Sequence, residues 1–262
     1  MKFLHLTDIH FLINYPEVED GYLSIFNKMT HPMEQLKKGL SMVEDFDAVL
    51  ISGDLVEEGC KEDYIQLKKE LRDLLGDTPI IITLGNHDIK PAFYEGWLSQ
   101  PPSDEPYNKC VVINDTTIIS LDNSHKHYPD GIIDANQCQW LQETLDKCQT
   151  KQIILMMHHH LIKEQIELPQ AQYEHRFFDI IMNSKIDMII CGHTHHAYEG
   201  TFAGKPYFTA DNLSFSGEGT PYGYVRFEER SGFNYCELTN NQIKVITIPI
   251  EQNQRFLANV TF

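Results

Sequence analysis

The chain has 262 residues, enough for one large domain with a full core, and no Gly/Ser/Pro-rich linker divides it. A formal net charge of -17 without any basic run argues against nucleic acid as a ligand, since polyanions are bound through Lys and Arg, and leaves a small anionic substrate reasonable. Apolar runs of about five residues fall far short of the roughly 20 needed to cross a bilayer, and Met1-Lys2-Phe3-Leu4-His5 leads straight into a strand, so no membrane segment, no signal peptide and a cytoplasmic location are expected.

The first predicted strand, Lys2 to Leu6, ends at Thr7-Asp8-Ile9-His10. Residues 11–31 form a long insertion with Phe11, Tyr15, Tyr22 and Phe26 among Glu17, Glu19 and Asp20; it reads either as a rim over the Asp/His pair or as a loop packed on the surface. A helical pattern from Pro32 to Asp45 precedes a strand at Ala48 to Ile51, followed by Gly53-Asp54. A second, from Lys61 to Leu75, precedes Ile80 to Thr83, followed by Gly85-Asn86-His87-Asp88 and a third helix from Pro91 to Leu98. Cys110 to Ile113 and Thr117 to Leu121, joined at Asn114-Asp115-Thr116, predict a hairpin. The helix over Asp134 to Cys148 opens with a capping box, Asp134 with Gln137, and places Cys138, Leu141, Leu145 and Cys148 on one stripe.

Ile153 to Met157 is the next strand and ends at His158-His159-His160; a helix from Tyr173 to Ser184 and a strand from Met188 to Cys191 lead to Gly192-His193-Thr194-His195. Beyond residue 196 only strands are expected: Ala197 to Phe202, Tyr207 to Ala210, Tyr224 to Glu229, Asn234 to Leu238 and Lys244 to Ile248. Gly204-Lys205-Pro206, Ser231-Gly232 and Asn240-Asn241 punctuate them. These predict a β-rich part, 196–262, forming a second sheet on the ligand-bearing α/β part, 1–195, within a single domain of residues 1–262. The six cysteines form no Cys-x-x-Cys pair, and Cys138 and Cys148 on one helix are separated by ten residues at about 1.5 Å each, too far to bridge. Free thiols are expected.

Five of the predicted strands, β-branched-rich and apolar throughout, are of the kind buried on both faces of a sheet, and each ends where Asp, Asn or His begins. Ligands bind in the crevice outside the carboxyl ends of such strands. Side chains two apart on an extended chain point the same way, so Asp8 with His10 and His193 with His195 are each expected to converge on one ion. Taken singly, each motif has an ordinary reading as a cap or turn; all five, following apolar runs, together suit two metal ions. Ligation by Asn, Asp and His without thiolate favours Mn, Fe, Zn or Co.

In their order, Asp8-x-His10, Gly53-Asp54-x4-Gly59, Gly85-Asn86-His87-Asp88, His158 and Gly192-His193-x-His195 resemble the calcineurin-like metallophosphoesterases over roughly residues 1 to 215. Leu121-Asp122-Asn123-Ser124, Asp130-Gly131-Ile132-Ile133-Asp134 and Thr209 to Phe215 resemble the class III cyclic nucleotide phosphodiesterase and glycerophosphodiesterase branch, which commonly has Pro where His160-Leu161-Ile162 stands here. The resemblance implies an α/β fold, a four-layer αββα sandwich of two mixed sheets with helices outside. It implies two divalent or transition metal ions, Asp8, His10, Asp54 and His195 on the first and Asp54, Asn86, His158 and His193 on the second, with Asp54 the bridge. A shared hydroxide then attacks a small phosphodiester such as 3',5'-cyclic AMP. Asn86, His87 and His195 bind substrate, His87 acting as acid or transition-state stabiliser and Asp88 orienting it, unless Asp88 is a turn or capping residue. His159, His160 and His196 are expected to be supporting or loop residues. A phosphomonoesterase or nucleotide-derivative hydrolase on the same centre is the alternative, and a non-catalytic scaffold is disfavoured by the complete motif set. Specificity is expected from residues 11–31 and the loops Asn123 to Asp130 and Asn212 to Tyr222.

Overall fold

In chain order the computed structural model, which describes residues 1–125, 128–239 and 242–261, runs through β1 (Lys2–Leu6), α1 (Ser24–Lys28), α2 (Pro32–Leu40), β2 (Ala48–Ser52), α3 (Lys61–Leu75), β3 (Ile80–Thr83) and α4 (Lys90–Gly96). There follow β4 (Lys109–Ile113), β5 (Thr116–Ser120), β6 (Gly131–Ile133), α5 (Ala135–Lys147), β7 (Gln152–Met156), β8 (Ala171–Tyr173), α6 (His175–Asn183) and β9 (Met188–Cys191). The chain closes with β10 (Tyr198–Phe202), β11 (Lys205–Thr209), β12 (Ser216–Gly219), β13 (Val225–Leu238) and β14 (Ile243–Val260).

Two six-stranded mixed sheets result, one ordered β12-β13-β1-β2-β3 with β14 on β13, the other β10-β11-β9-β7-β5-β4. The strand sequences explain the layering, because alternate residues enter different cores. Phe3, Ala48, Leu50 and Ile81 of the first sheet meet Ile118, Ile154, Met156 and Ile190 of the second. Their neighbours Leu4, Val49, Ile51 and Ile82 pack instead with Leu36 of α2, Leu67 and Leu71 of α3 and Phe93 of α4. On the far side Leu155, Ile189 and Cys191 pack with Leu141 of α5 and Phe177 and Ile181 of α6. Each fully buried Leu, Ile or Phe contributes about 1.5–3 kcal/mol. Helix, sheet, sheet and helix make the expected αββα sandwich.

The strands after residue 196 do not form a second sheet of their own. β10 and β11 extend the sheet of β9, β7, β5 and β4, while β12, β13 and β14 extend that of β1, β2 and β3. The two expected strands Tyr224 to Glu229 and Asn234 to Leu238 are one, β13; Ser231-Gly232 is not a turn but a register shift against β14, a bulge that lets the ribbon bend without breaking. Asn240-Asn241 lies outside the described residues. Helix α2 stops at Leu40, short of Asp45, where the Ser41 hydroxyl donates to the Lys38 carbonyl at 2.6 Å and closes the turn. Tyr173 belongs to β8, paired with β6, so α6 starts at His175. The hairpin turns at Asn114-Asp115, both at positive φ, and the Asp134/Gln137 capping box opens α5.

Candidate metal centre

The five motif loops leave the carboxyl ends of β1, β2 and β3 in one sheet and of β7 and β9 in the other, and meet where the sheets abut. Backbone bonds lace them together: the Asp8 amide donates to the Gly53 carbonyl at 3.1 Å, the His10 amide to that of Asp54 at 3.0 Å, and the Gly192 amide to that of His158 at 2.9 Å. The approach is close enough that only glycine fits at Gly85, where a Cβ would fall 2.2 Å from Asp54 Oδ1, and at Gly53, which also holds φ +97°.

Asp8, His10, Asp54, His193 and His195 all lie at positive φ, between 48° and 69°. The pairs Asp8 with His10 and His193 with His195 are therefore not aimed by strand pleating, as their spacing suggests, but by left-handed turns just past the strand ends. The outcome differs too: His195 joins Asp8 and His10, whereas His193 joins His158 and His159, so the Gly-His-x-His loop straddles two groups of donors.

The three histidines His10, His158 and His195 share one arrangement. Nδ1 of His10 donates to Glu57 Oε2 at 2.6 Å, Nδ1 of His158 to the Ser52 carbonyl at 2.7 Å, and Nδ1 of His195 to the Phe215 carbonyl. Oxygen acceptors hold those protons, which leaves each Nε2 able to serve as a ligand. His10 and His195 bring their Nε2 atoms within 3.3 Å of each other, and His195 Nε2 stands 3.3 Å from Asp8 Oδ1. His158 Nε2 is 3.3 Å from Asp54 Oδ2 and 3.2 Å from Asn86 Oδ1. Asp54 Oδ2 is also 3.6 Å from His10 Nε2, which places this one carboxylate against both groups. Donors about 2.1 Å from a common ion stand roughly 3–3.5 Å apart, so these separations fit cations. Asp8 Oδ1 and His193 Nε2 are buried with no hydrogen-bond partner, which is costly unless an ion takes them.

The electrostatics point the same way. Burial would lower the His158 pKa, but Asp54 outweighs it and raises it to about 9: the site draws positive charge. Burial pushes His195 down to about 4 and His193 well below its ordinary value, keeping both neutral for ligation.

His87 stands at the rim, its ring 4.9 Å from that of His10 and its Nδ1 3.0 Å from Glu57 Oε2. Burial alone would depress its pKa; Asp54 and Glu57 together lift it to about 10. Among the described residues Asp88, expected either to orient His87 or to serve a turn or cap, makes its side-chain hydrogen bonds away from His87. Its carboxylate accepts the amides of Leu55, Val56 and Gly85 and the Tyr64 hydroxyl, tying the Asp54 loop to the Asn86 loop. Its amide donates to the Gly85 carbonyl at 3.2 Å and closes the Asn86-His87 turn, the turn role given as the alternative, while the N-cap of α4 is Ile89. Glu57, which touches both His10 and His87, is the residue the sequence reading missed; its place inside the Gly53 to Gly59 block was the available signal.

Of the consecutive histidines, His159 lies between Asn123 Oδ1 at 3.2 Å and the Pro129 carbonyl at 3.1 Å, anchoring a loop, and His160 stacks on His193 with ring centres 5.9 Å apart. His196 Nδ1 donates to the Thr194 carbonyl. The 11–31 insertion folds over the rim: Tyr22 and Phe26 pack on Phe215, and their rings lie 6.2 Å from His87 and 6.3 Å from His10.

This chain belongs to the calcineurin-like phosphoesterase family, whose model matches residues 1–197. Members are hydrolases acting on phosphoester bonds at a dinuclear metal centre. Among relatives, the chain is 27% identical over 218 residues to a Rhodococcus erythropolis protein described as a probable cyclic nucleotide phosphodiesterase, covering 81% of this chain and 71% of that one. It is 27% identical over 206 residues to a glycerophosphodiester phosphodiesterase of Enterobacter lignolyticus, covering 75% and 71%. A dimetal phosphatase from Danio rerio shares the fold, with a TM-score of 0.58, 12% identity and coverage of 95% and 99%. Among the described residues no helix is long and apolar enough to cross a membrane.

Proposed function

We propose that the protein is a metal-dependent phosphodiesterase acting on a small diester, with 3',5'-cyclic AMP the leading candidate. The observation that carries the reading is Asp54, whose Oδ2 lies 3.6 Å from His10 Nε2 and 3.3 Å from His158 Nε2. Asp8, His10, Asp54 and His195 would hold one ion and Asp54, Asn86, His158 and His193 the other. Bound there, a pair of Mn, Fe or Zn ions supplies an activated water and offsets charge on the phosphoryl oxygens. Around that pair the chain's own groups have separate tasks. Glu57 fixes the Nδ1 proton of His10 and holds His87 by charge; His87, beside Asn86, is positioned to donate a proton to the leaving oxygen. Phe215 and Ser52 carbonyls fix the tautomers of His195 and His158. Asn86, His87 and His195 face the substrate phosphoryl. The acidic rim favours a diester, with one negative charge, over a monoester with nearly two. The names of the two bacterial relatives, one a cyclic nucleotide and one a glycerophosphodiester phosphodiesterase, support a small diester.

The test is a hydrolysis panel with metal-reconstituted protein: cyclic nucleotides, glycerophosphodiesters, and aryl diesters and monoesters with the same leaving group. Higher kcat/KM on diesters is expected. A monoester preference of about tenfold or more, roughly 1.4 kcal/mol, moves the assignment to a phosphomonoesterase or nucleotide-derivative hydrolase on the same centre.

A further inference from the structure

Beside Asn86 and His87 a cavity of about 320 Å³ opens between the start of α4 and the residues Ser124, His125, Tyr128 and Pro129. Lys90 lies in its wall, only 8% exposed. Its ammonium donates to Asp122 Oδ2 at 2.6 Å and to the Ser124 carbonyl at 3.0 Å. Asp122 is occupied: its oxygens also accept the Tyr107 amide at 2.8 Å and the Ser124 amide and hydroxyl at 3.0 and 2.6 Å. An ammonium has three N–H donors, and these contacts use two. Two exposed carboxylates, Glu58 and Asp104, stand in the same wall.

This combination is chemically selective. A second anionic group on the substrate would be repelled by Glu58 and Asp104, and an apolar group would strip water from a lysine without replacing its hydrogen bond. Hydroxyl groups suit it, because each both accepts, from Lys90, and donates, to a carboxylate. His87, the proton donor proposed above, lies in the same wall. Resting on the phosphodiesterase reading above, we propose that this cavity receives the leaving alcohol and that Lys90 hydrogen-bonds one of its hydroxyls, so that the preferred substrates are diesters whose leaving group is a polyol. Glycerol and ribose share that chemistry.

Alkyl methylphosphonates test it, since each carries one charge and one scissile ester. Three are compared on the metal-reconstituted full chain, with glycerol, a nucleoside 3'-hydroxyl or 1-propanol as leaving alcohol, alongside an aryl diester. In Lys90→Met the kcat/KM of the polyol esters relative to the propyl ester should fall by about 10–100-fold, the worth of a charge-assisted hydrogen bond, with partial recovery in Lys90→Arg. Because Lys90→Met strands the buried Asp122, Lys90→Met/Asp122→Asn removes both charges and should show the same relative loss. A loss confined to the glyceryl or to the nucleoside ester supports the inference and names the source. Equal loss on all three esters, with the aryl diester still cleaved by the wild type, overturns the role of Lys90 alone. A wild type inactive on every ester overturns the phosphodiesterase reading, and this inference with it.

Discussion

Around the metal centre, five of the proposed ligands stand on left-handed backbone, and buried polar atoms, Asp8 Oδ1 and His193 Nε2 among them, lack hydrogen-bond partners. In the neighbouring ribbon the ladder runs from Val225↔Val260 to Leu238↔Ile243, and its one carboxylate with 2% exposure, Glu229, accepts the Thr30 amide at 2.7 Å and Arg255 Nε at 2.8 Å. Left-handed non-glycine residues and unpaired buried groups each cost about 1–3 kcal/mol. The rim therefore draws on stability that the cores and the ribbon supply, so activity and stability should be separable by mutation.

The sharpest break is Asp54→Ala. With the shared carboxylate gone, turnover of every ester should fall to background and metal content should drop, while circular dichroism and the melting profile remain those of a folded protein. Full activity in this variant would overturn the assignment of the rim. His87→Ala comes next, with a loss of about 10²–10⁴-fold in kcat and both metals retained by elemental analysis; loss of metal would make His87 a ligand instead. Glu57→Gln should cost about 10–100-fold, the usual worth of a residue that orients a ligand histidine, and unchanged kinetics would remove Glu57 from the site.

Asp88 tests the boundary between the two regions, since it sits at the rim but acts as a clamp. Asp88→Ala strands three amides and the Tyr64 hydroxyl, and denaturant unfolding should show a loss of about 3–5 kcal/mol. A variant as stable as the wild type would mean that the loops hold without it. The smallest effect belongs to Glu229. Burial would raise its pKa, but the bonds from Arg255 and Thr30 outweigh it and hold it at about 2, against an ordinary 4.5. Its contribution is thus complete above about pH 4.5 and lost as pH falls toward 2, so Glu229→Gln should flatten the pH dependence of stability in that window while leaving neutral-pH kinetics alone. An unchanged acid profile would show that the pair contributes nothing.

Where local composition decided the structure, it was readable in advance. Ala48 to Ile51 or Met188 to Cys191 can only be strands buried on both faces, and the polar residues that follow must emerge at the sheet's edge. The Asp134/Gln137 capping box needs no partner beyond three residues away, and it opens α5 as expected. His158, His159 and His160 show the limit. Nothing in three identical residues says that the first finds the Ser52 carbonyl 106 positions away, the second Asn123, and the third the ring of His193.

By itself, then, the sequence determined the order of the ligand-bearing strands and the set of Asp, Asn and His residues gathered at their ends, because periodic burial and strand-end chemistry act within a few residues; the αββα class came as what the family resemblance implies. Only the tertiary structure decided that Glu57 is a carboxylate set against both His10 and His87, how the strands after residue 196 divide between the sheets, and that left-handed turns aim the side chains. Those outcomes depend on hydrogen bonds and steric limits between segments tens to hundreds of residues apart, which meet only once the two sheets have packed.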